Sequence, residues 1–164
     1  MMTPHTANEA ILTPSLALLP AKMDSKLARI LMLAIGLQES RFLHRRQIGN
    51  GIARGYWQFE RGGGVKGVME HPASSALARE VCKARGVPFD RQAVYEALEH
   101  DDLLACCFAR LLLWTDPKPI PDNADDAYGL YLRVWRPGKA KPATWPDFYR
   151  QAQKAVIVSW ASSP

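Results

Sequence analysis

The sequence predicts a mainly α-helical fold with one glycine-rich excursion after the first long helix. Apolar residues recur at helical spacing over residues 27–38, which is typical of an amphipathic helix packed on a core. Residues 103–114, LLACCFARLLLW, are apolar on nearly every side, which favours a central helix. Residues 43–64 are rich in glycine and lack helical periodicity. We therefore expect a loop there, or a short β-hairpin around residues 55–59.

The N-terminal segment, residues 1–21, predicts an irregular arm, because Pro14 and Pro20 interrupt its apolar stretch. It also lacks the basic start of a secretory signal. Residues 22–164 predict a single domain, since the whole chain has only 164 residues. We expect synthesis in a cytoplasm without a signal peptide.

Capping residues and chain breakers delimit the helices that follow. The helical patterns cover residues 25–42, 65–70, 74–86, 90–99, 103–114, 125–136 and 145–160. Predicted N-caps are Asp24, Asp90, Asp101 or Asp102, and Thr144, and Gly86 is a predicted C-terminal stop. Residues 115–122 contain three prolines and predict a rigid connector.

Charge and cysteine content restrict the class of protein. The formal charge is +5, from 21 basic and 16 acidic side chains, which favours a polyanionic partner such as nucleic acid, anionic lipid or an acidic cell-wall polymer. No apolar run reaches the roughly 18 residues of a membrane span, so we expect no membrane insertion. The three cysteines, Cys82, Cys106 and Cys107, lie in apolar helical patterns and predict reduced core thiols rather than disulfides.

Glu39 is the first candidate catalytic residue. It lies at the edge of the apolar stripe and near the C-terminal end of the first long helix. Burial and the negative end of the helix dipole both disfavour an ionised carboxylate, so we expect a raised pKa. A glutamic acid that is protonated near neutral pH can donate a proton to a leaving oxygen, as in glycosidic bond cleavage. The alternative is an exposed charge paired with Arg41, Arg45 or Arg46.

The stretch GYWQF, residues 55–59, suggests a ligand-holding loop. Gly55 allows close approach of the backbone to a ligand. Gln58 can donate to and accept from sugar hydroxyl and acetamido groups, and Tyr56 and Trp57 can stack on sugar rings. The alternative is a glycine-rich turn with core aromatics.

Glu39-Ser40 with Phe42, followed by Gly55-Tyr56-Trp57-Gln58, resembles the lysozyme-like superfamily in its soluble lytic transglycosylase and goose-type lysozyme branch. That family has a helix ending in Glu-Ser, a loop with Gly-x-x-Gln and an all-helical remainder. The resemblance implies that Glu39 is the catalytic acid. It also implies that Ser40, Gln58 and the aromatics of residues 55–59 position the glycan.

The family's third motif, aromatic-Asn-x-Gly, is replaced here by Tyr128-Gly129-Leu130-Tyr131. By resemblance Tyr131 or Tyr128 faces the substrate cleft. The alternative is that both tyrosines pack in the core together with Trp135, because the three share one helical face.

The number of catalytic carboxylates distinguishes a hydrolase from a lytic transglycosylase. A hydrolase normally uses a pair, whereas a lytic transglycosylase uses one glutamate as acid and then as base on the sugar's own 6-hydroxyl. Glu60 is the nearest possible second carboxylate, but an ion pair with Arg61 is the simpler interpretation. The sequence therefore favours the single-glutamate mechanism.

The resemblance implies a peptidoglycan-cleaving glycosidase, either a lytic transglycosylase or a muramidase, that needs no cofactor and no metal. Residues 135–139, WRPGK, are similar to segments of small bacteriophage proteins. We expect synthesis in the host cytoplasm and action on glycan strands of the cell wall, or carriage in the virion. The alternative is a virion or tail-associated structural protein that keeps the scaffold without activity and contacts other phage proteins. Nucleic-acid binding through Arg45 and Arg46 is disfavoured, because basic residues are scattered along the chain.

Overall fold

The computed structural model of the protein describes residues 1–49 and 51–161, and it confirms a mainly α-helical fold. The α-helices are α1 (Pro4–Ala7), α2 (Thr13–Leu16), α3 (Lys26–Ser40), α4 (Lys66–Glu70), α5 (Ser75–Ala84), α6 (Arg91–His100), α7 (Asp102–Trp114), α8 (Ala124–Trp135) and α9 (Trp145–Ala161). Asn8–Leu12 and Arg61–Val65 form π-helical turns, and Ala21–Met23 and Pro142–Thr144 form 3₁₀ turns. No β-strand forms within the described ranges. In the same ranges no helix has both the length and the apolar character that crossing a membrane requires.

The prediction of an irregular arm over residues 1–21 is wrong. The chain is helical from Pro4 to Leu16, and it packs α1 against α9 and α2 against α7. Pro4 occupies the first turn of α1, where its missing N–H breaks no helical bond. Pro14 is tolerated because the π turn just before it widens the helix, which relieves the clash that a proline causes in a regular α-helix.

The start of α3 differs by one residue from its prediction. Ser25 is the N-cap, and its hydroxyl accepts a hydrogen bond of 3.1 Å from the Ala28 N–H. Asp24 instead binds Arg29 through both carboxylate oxygens, at 2.8 and 2.9 Å. Asp24 and Ser25 are both good N-cap residues, so local capping preference alone does not predict which of them caps α3. In the structure Asp24 is engaged in the ion pair with Arg29, and Ser25 is the cap.

The end of α3 is a sharp turn that positions the candidate site. Arg41 and Phe42 both adopt left-handed conformations, with φ of 55° and 54°. This turn folds the Phe42 ring back onto Gly36, where an added Cβ would lie 2.2 Å from the ring. Gly36 is therefore the residue that lets the chain reverse direction here.

The central position of α7 is confirmed. Nearly all of its residues from Leu104 onward are buried, and its N-cap is Asp101, which accepts from the Leu104 N–H at 3.0 Å. Cys106 and Cys107 on this helix are buried free thiols, as predicted. The N-cap Asp90 of α6 is also confirmed, with a bond of 2.9 Å from the Ala93 N–H.

Gly86 and Thr144 lie at two further helix boundaries. Gly86 has a φ of +70° just after α5, as expected for a residue that closes a helix. Thr144 does not cap α9, because it belongs to the 3₁₀ turn that leads into that helix and its hydroxyl lies 2.9 Å from Gln38 Oε1.

The glycine-rich segment is a loop rather than a regular hairpin. Within its described residues the only β-type pairs are single antiparallel bridges from Arg54 to Arg46 and from Arg54 to Phe59. Arg54 and Phe59 exchange two backbone hydrogen bonds of 2.9 Å. This pair closes a tight turn over residues 55–58.

Candidate active site

Glu39 lies in the last turn of α3, where its side chain is partly buried. The Tyr131 hydroxyl on α8 donates a hydrogen bond of 2.5 Å to Glu39 Oε1. This length is at the short end for an O–H donor to a carboxylate, which is typical of a charge-assisted bond. The contact joins residues 92 positions apart in the chain.

The interpretation of Glu39 as a surface charge paired with a neighbouring arginine is wrong. Arg45 binds both carboxylate oxygens of Asp102, at 2.9 and 2.8 Å. Arg46 binds both oxygens of Glu99, at 2.6 and 3.1 Å, and the Arg41 guanidinium lies 5.8 Å from the Phe148 ring centre. Among the described residues, Glu39 is in no ion pair.

Burial raises the pKa of Glu39 from its ordinary 4.5 to about 7. The hydrogen bond from Tyr131 and the positive charge of Lys141 act in the opposite direction and lower this pKa, whereas the negative charge of Glu60 raises it. The predicted upward shift is confirmed. Near neutral pH the carboxyl group therefore exists in both protonated and ionised forms.

Tyr131 packs in the core, which is the second of the two roles that the sequence left open. Its ring is only 3% exposed and stacks on Trp145, with ring centres 5.3 Å apart and planes 9° from parallel. Burial and the charge of Glu39 raise the pKa of the Tyr131 phenol, so it stays protonated and acts as a donor. Because the ring is in the core, the expectation that Tyr131 binds substrate is corrected: it positions Glu39.

The stacking role expected of Tyr56 and Trp57 is contradicted, since their rings are 4% and 0% exposed. Both make edge contacts with Phe42, at ring distances of 5.4 and 5.6 Å. The Trp57 indole N–H donates to the Met32 carbonyl oxygen at 2.9 Å. These aromatics attach the loop to α3, and the alternative of core aromatics in a glycine-rich turn is the correct one.

Gly55 also has a different role from the expected one. Its φ is +77°, and an added Cβ would lie 2.6 Å from the Leu98 carbonyl oxygen. The close approach that requires glycine is therefore to the backbone of α6 and not to a ligand.

Ser40 is buried and shapes the helix end. Its hydroxyl donates to the Gly36 carbonyl oxygen at 3.1 Å and accepts from the Phe42 N–H at 3.1 Å. It cannot contact a glycan from this position, so its expected role in substrate binding is corrected to that of a support for the turn after Glu39.

Gln58 keeps a surface that can contact a ligand. It is partly buried and adopts a left-handed conformation, with φ of 53°. Its Nε2 donates to the Gly55 carbonyl oxygen at 2.9 Å, while its Oε1 receives no hydrogen bond from any described residue. That oxygen is available to a donor such as a sugar hydroxyl.

Helix α8 connects Glu39 with the Gln58 loop. Trp135 lies one turn beyond Tyr131, and its indole N–H donates to the Trp57 carbonyl oxygen at 3.0 Å. Tyr131 thus fixes the carboxyl group of Glu39, and Trp135 fixes the residue next to Gln58. The two sequence motifs are attached to one helix face, because residues four apart lie on the same side of a helix.

Glu60 is exposed and forms no ion pair with Arg61 or with any other described residue. It is close enough to Glu39 for its charge to raise the pKa of that carboxyl. The ion-pair interpretation of Glu60 is therefore not supported, and Glu60 remains the nearest second carboxylate.

The sequence did not predict that residues 141–144 pack beside Gln38, the neighbour of Glu39 in the chain. Gln38 Nε2 donates to the Lys141 carbonyl oxygen at 2.9 Å, and Gln38 Oε1 lies 2.9 Å from the Thr144 hydroxyl. The available signal was Gln38 itself, a polar side chain within the apolar stripe. Tyr128 packs its ring against Tyr131 and Trp145, and its hydroxyl is buried without a hydrogen-bond partner among the described residues, so the expectation that it faces a substrate cleft is not supported.

Two pockets, of about 470 and 550 Å³, lie elsewhere, and Glu39 lines neither of them. No group of three or more histidine, cysteine, aspartate or glutamate side chains in residues 1–49 and 51–161 is arranged to hold a metal ion. Comparison of the chain with protein-family models, curated protein sequences and solved structures gave no match.

Proposed function

We propose that the protein is a peptidoglycan-cleaving glycosidase, of the lytic transglycosylase or muramidase kind, with Glu39 as its general acid. The observation that carries the proposal is the state of this carboxyl group. It is partly buried, free of ion pairs with described residues, fixed by Tyr131, and has a pKa of about 7. A general acid works best when its pKa lies near the pH of the reaction.

The chemistry needs one proton and one carboxyl group. Protonated Glu39 donates its proton to the glycosidic oxygen while the bond from that oxygen to the anomeric carbon breaks, which leaves an oxocarbenium-like sugar. The resulting Glu39 carboxylate then takes a proton from the attacking hydroxyl group. That nucleophile is the sugar's own 6-hydroxyl in a transglycosylase and water in a hydrolase.

The single-glutamate route is the one we favour. Glu39 is the carboxyl group whose surroundings adapt it to proton transfer, whereas Glu60 is exposed and is not held by an ion pair with a described residue. Gln58 follows Trp57, whose carbonyl oxygen is held by Trp135 of α8, and Gln58 Oε1 supplies an acceptor for the glycan.

Peptidoglycan is the preferred substrate for two reasons. The motif order Glu39-Ser40, then Gly55 to Gln58, resembles that of wall-cleaving enzymes, and the net charge of +5 suits an anionic wall. We place its site of action at the bacterial cell wall, reached from the host cytoplasm or by carriage in a phage particle.

The decisive experiment is zymography on purified peptidoglycan with wild type, Glu39→Gln and Glu80→Gln. Glu80 is an exposed glutamate on α5 and serves as the matched control. We expect clearing by wild type and Glu80→Gln, and a loss of about 10²–10⁴-fold for Glu39→Gln, the usual contribution of a general acid. Equal clearing by all three proteins would refute the assignment. Mass spectrometry of the products would separate 1,6-anhydro sugars from reducing ends.

The alternative is an inactive virion or tail-associated protein on the same scaffold. One face of residues 1–21 packs on the core, with Ala7 and Leu12 at 0% exposure, while other residues of the segment, such as Thr6 and Glu9, are exposed. Stoichiometric incorporation in phage particles, together with no clearing by wild type, would favour this alternative over the enzyme.

A further inference from the structure

A buried arginine lies on the central helix, away from Glu39. Arg110 is only 4% exposed, and its Nε donates to the Met23 carbonyl oxygen at 2.7 Å. Its two terminal nitrogens donate to no acceptor among the described residues, and no described carboxylate forms an ion pair with it. The nearby Asp24 forms its ion pair with Arg29, and its negative charge favours the charged form of Arg110 without a hydrogen bond between the two.

A buried charge without a partner is unfavourable, since burial removes its hydration. Burial lowers the pKa of Arg110 to about 10, so the guanidinium is still charged at neutral pH. Its contact with the Trp114 ring, at 5.4 Å from the ring centre, compensates for part of the lost hydration. The two terminal nitrogens retain four N–H donors that an anion can use.

Arg110 lines a pocket of about 550 Å³ between the start of α3 and the connector after α7. The pocket walls are mainly apolar, with Leu27, Leu113, Trp114 and Ile120 among them. Its other polar groups include Ser25, Lys118 and Asp116. This volume is within the usual range for small-molecule sites, which combine apolar walls with a few polar groups.

We propose that this pocket binds a small monocarboxylate with an apolar body, with the carboxylate on the terminal nitrogens of Arg110. The planar guanidinium matches a carboxylate through two parallel hydrogen bonds. The apolar walls accommodate the rest of the ligand. Asp116 is paired with Arg133 at 3.2 Å and Lys118 also lines the pocket, so it is the apolar walls that favour a monocarboxylate with an apolar body over a small polar anion such as phosphate.

This site is separate from the candidate active site. Leu27 and Glu39 are twelve residues apart on α3, which corresponds to roughly 18 Å along the helix. The proposal therefore does not rest on the glycosidase assignment, and the two can fail independently.

The test is isothermal titration calorimetry with N-acetyl-L-leucine and its neutral analogue N-acetyl-L-leucinamide. We expect wild type and Glu39→Gln to bind the acid equally and more tightly than the amide. Arg110→Gln should weaken binding of the acid about tenfold or more, the usual effect of losing a charge-assisted pair, and should leave the amide unchanged. Arg110→Lys should bind the acid with intermediate affinity, since lysine keeps the positive charge but lacks the planar guanidinium that makes two parallel hydrogen bonds to a carboxylate.

Arg110→Gln also removes the bond to Met23 and can unfold the protein, so a second variant keeps the test informative. Ile120→Trp narrows the pocket at a partly buried wall and leaves Arg110 intact. It should abolish binding of the acid while the circular dichroism spectrum stays that of wild type. Equal affinity of wild type for acid and amide, no binding of the acid at millimolar concentration, or full binding by folded Ile120→Trp would each overturn the proposal.

Discussion

The Tyr131 phenol and the Glu39 carboxyl group, 2.5 Å apart, form the central contact of the candidate site. The tyrosine ring is fixed in an aromatic cluster with Tyr128 and Trp145. A carboxyl group at a helix end would otherwise be free to rotate into water. Because its partner belongs to the core, Glu39 is held in one place while remaining partly exposed, which is the condition for a proton donor to act on a bound ligand.

The first prediction concerns the stability of Glu39→Gln. The folded-state pKa of Glu39, about 7, lies above its ordinary 4.5, so between these pH values the folded state binds more protons than the unfolded state. The free energy of unfolding of wild type must therefore fall as pH rises from about 4.5 to about 7. Glu39→Gln lacks this contribution, so relative to wild type it gains stability across that window, by at most about 3 kcal/mol. Urea unfolding at pH 5 and pH 8 measures the effect.

The matched control for that experiment is Glu80→Gln, which should keep the wild-type pH dependence because Glu80 is exposed. A stability difference between Glu39→Gln and wild type that is the same at pH 5 and pH 8 would show that the pKa of Glu39 is not raised.

The second prediction concerns Tyr131→Phe. The Tyr131 hydrogen bond favours the ionised carboxylate and lowers the pKa of Glu39, so its removal should move that pKa above 7. Carbon-13 NMR titration of the Glu39 carboxyl measures this directly. Tyr149→Phe is the control, since Tyr149 packs in the same cluster, 6.1 Å from Trp145, without contacting Glu39. An unchanged or lower pKa in Tyr131→Phe would contradict the role given to this bond.

The third prediction separates the one-carboxylate and two-carboxylate mechanisms through Glu60→Gln. The charge of Glu60 raises the pKa of Glu39, so its removal should lower that pKa slightly. Under the single-glutamate mechanism the variant keeps most of its rate of peptidoglycan cleavage, measured as the initial loss of turbidity. A loss of 10²-fold or more, comparable with that of Glu39→Gln, would instead make Glu60 the second catalytic carboxylate.

The fourth prediction concerns Gly55→Ala. An added Cβ would lie 2.6 Å from the Leu98 carbonyl oxygen at a residue whose φ is +77°. Steric overlap and backbone strain together should lower the free energy of unfolding by about 2 kcal/mol or more. Gly62→Ala is the control, because nothing lies within 4 Å of a Cβ there, and it should change stability by less than about 0.5 kcal/mol. Equal thermal unfolding of the two variants would contradict the packing described for Gly55.

The sequence by itself determined the helical class, most helix positions and the identity of the candidate acid. Apolar periodicity located α3 and α7, and the Asp90 cap and the Gly86 stop were read correctly because capping depends on residues within one turn. The raised pKa of Glu39 was also predictable, since burial follows from its position on the helix face.

Tertiary structure alone decided what surrounds Glu39. Three nearby arginines were equally plausible partners from the sequence, but each is engaged elsewhere, and the actual partner is Tyr131, 92 residues away. The burial of Trp57 depends on the left-handed turn at Phe42, and the helical N-terminus depends on a π turn before Pro14. Such outcomes depend on competition among distant contacts, whereas the periodicity and capping rules applied to the sequence weigh only neighbours along the chain.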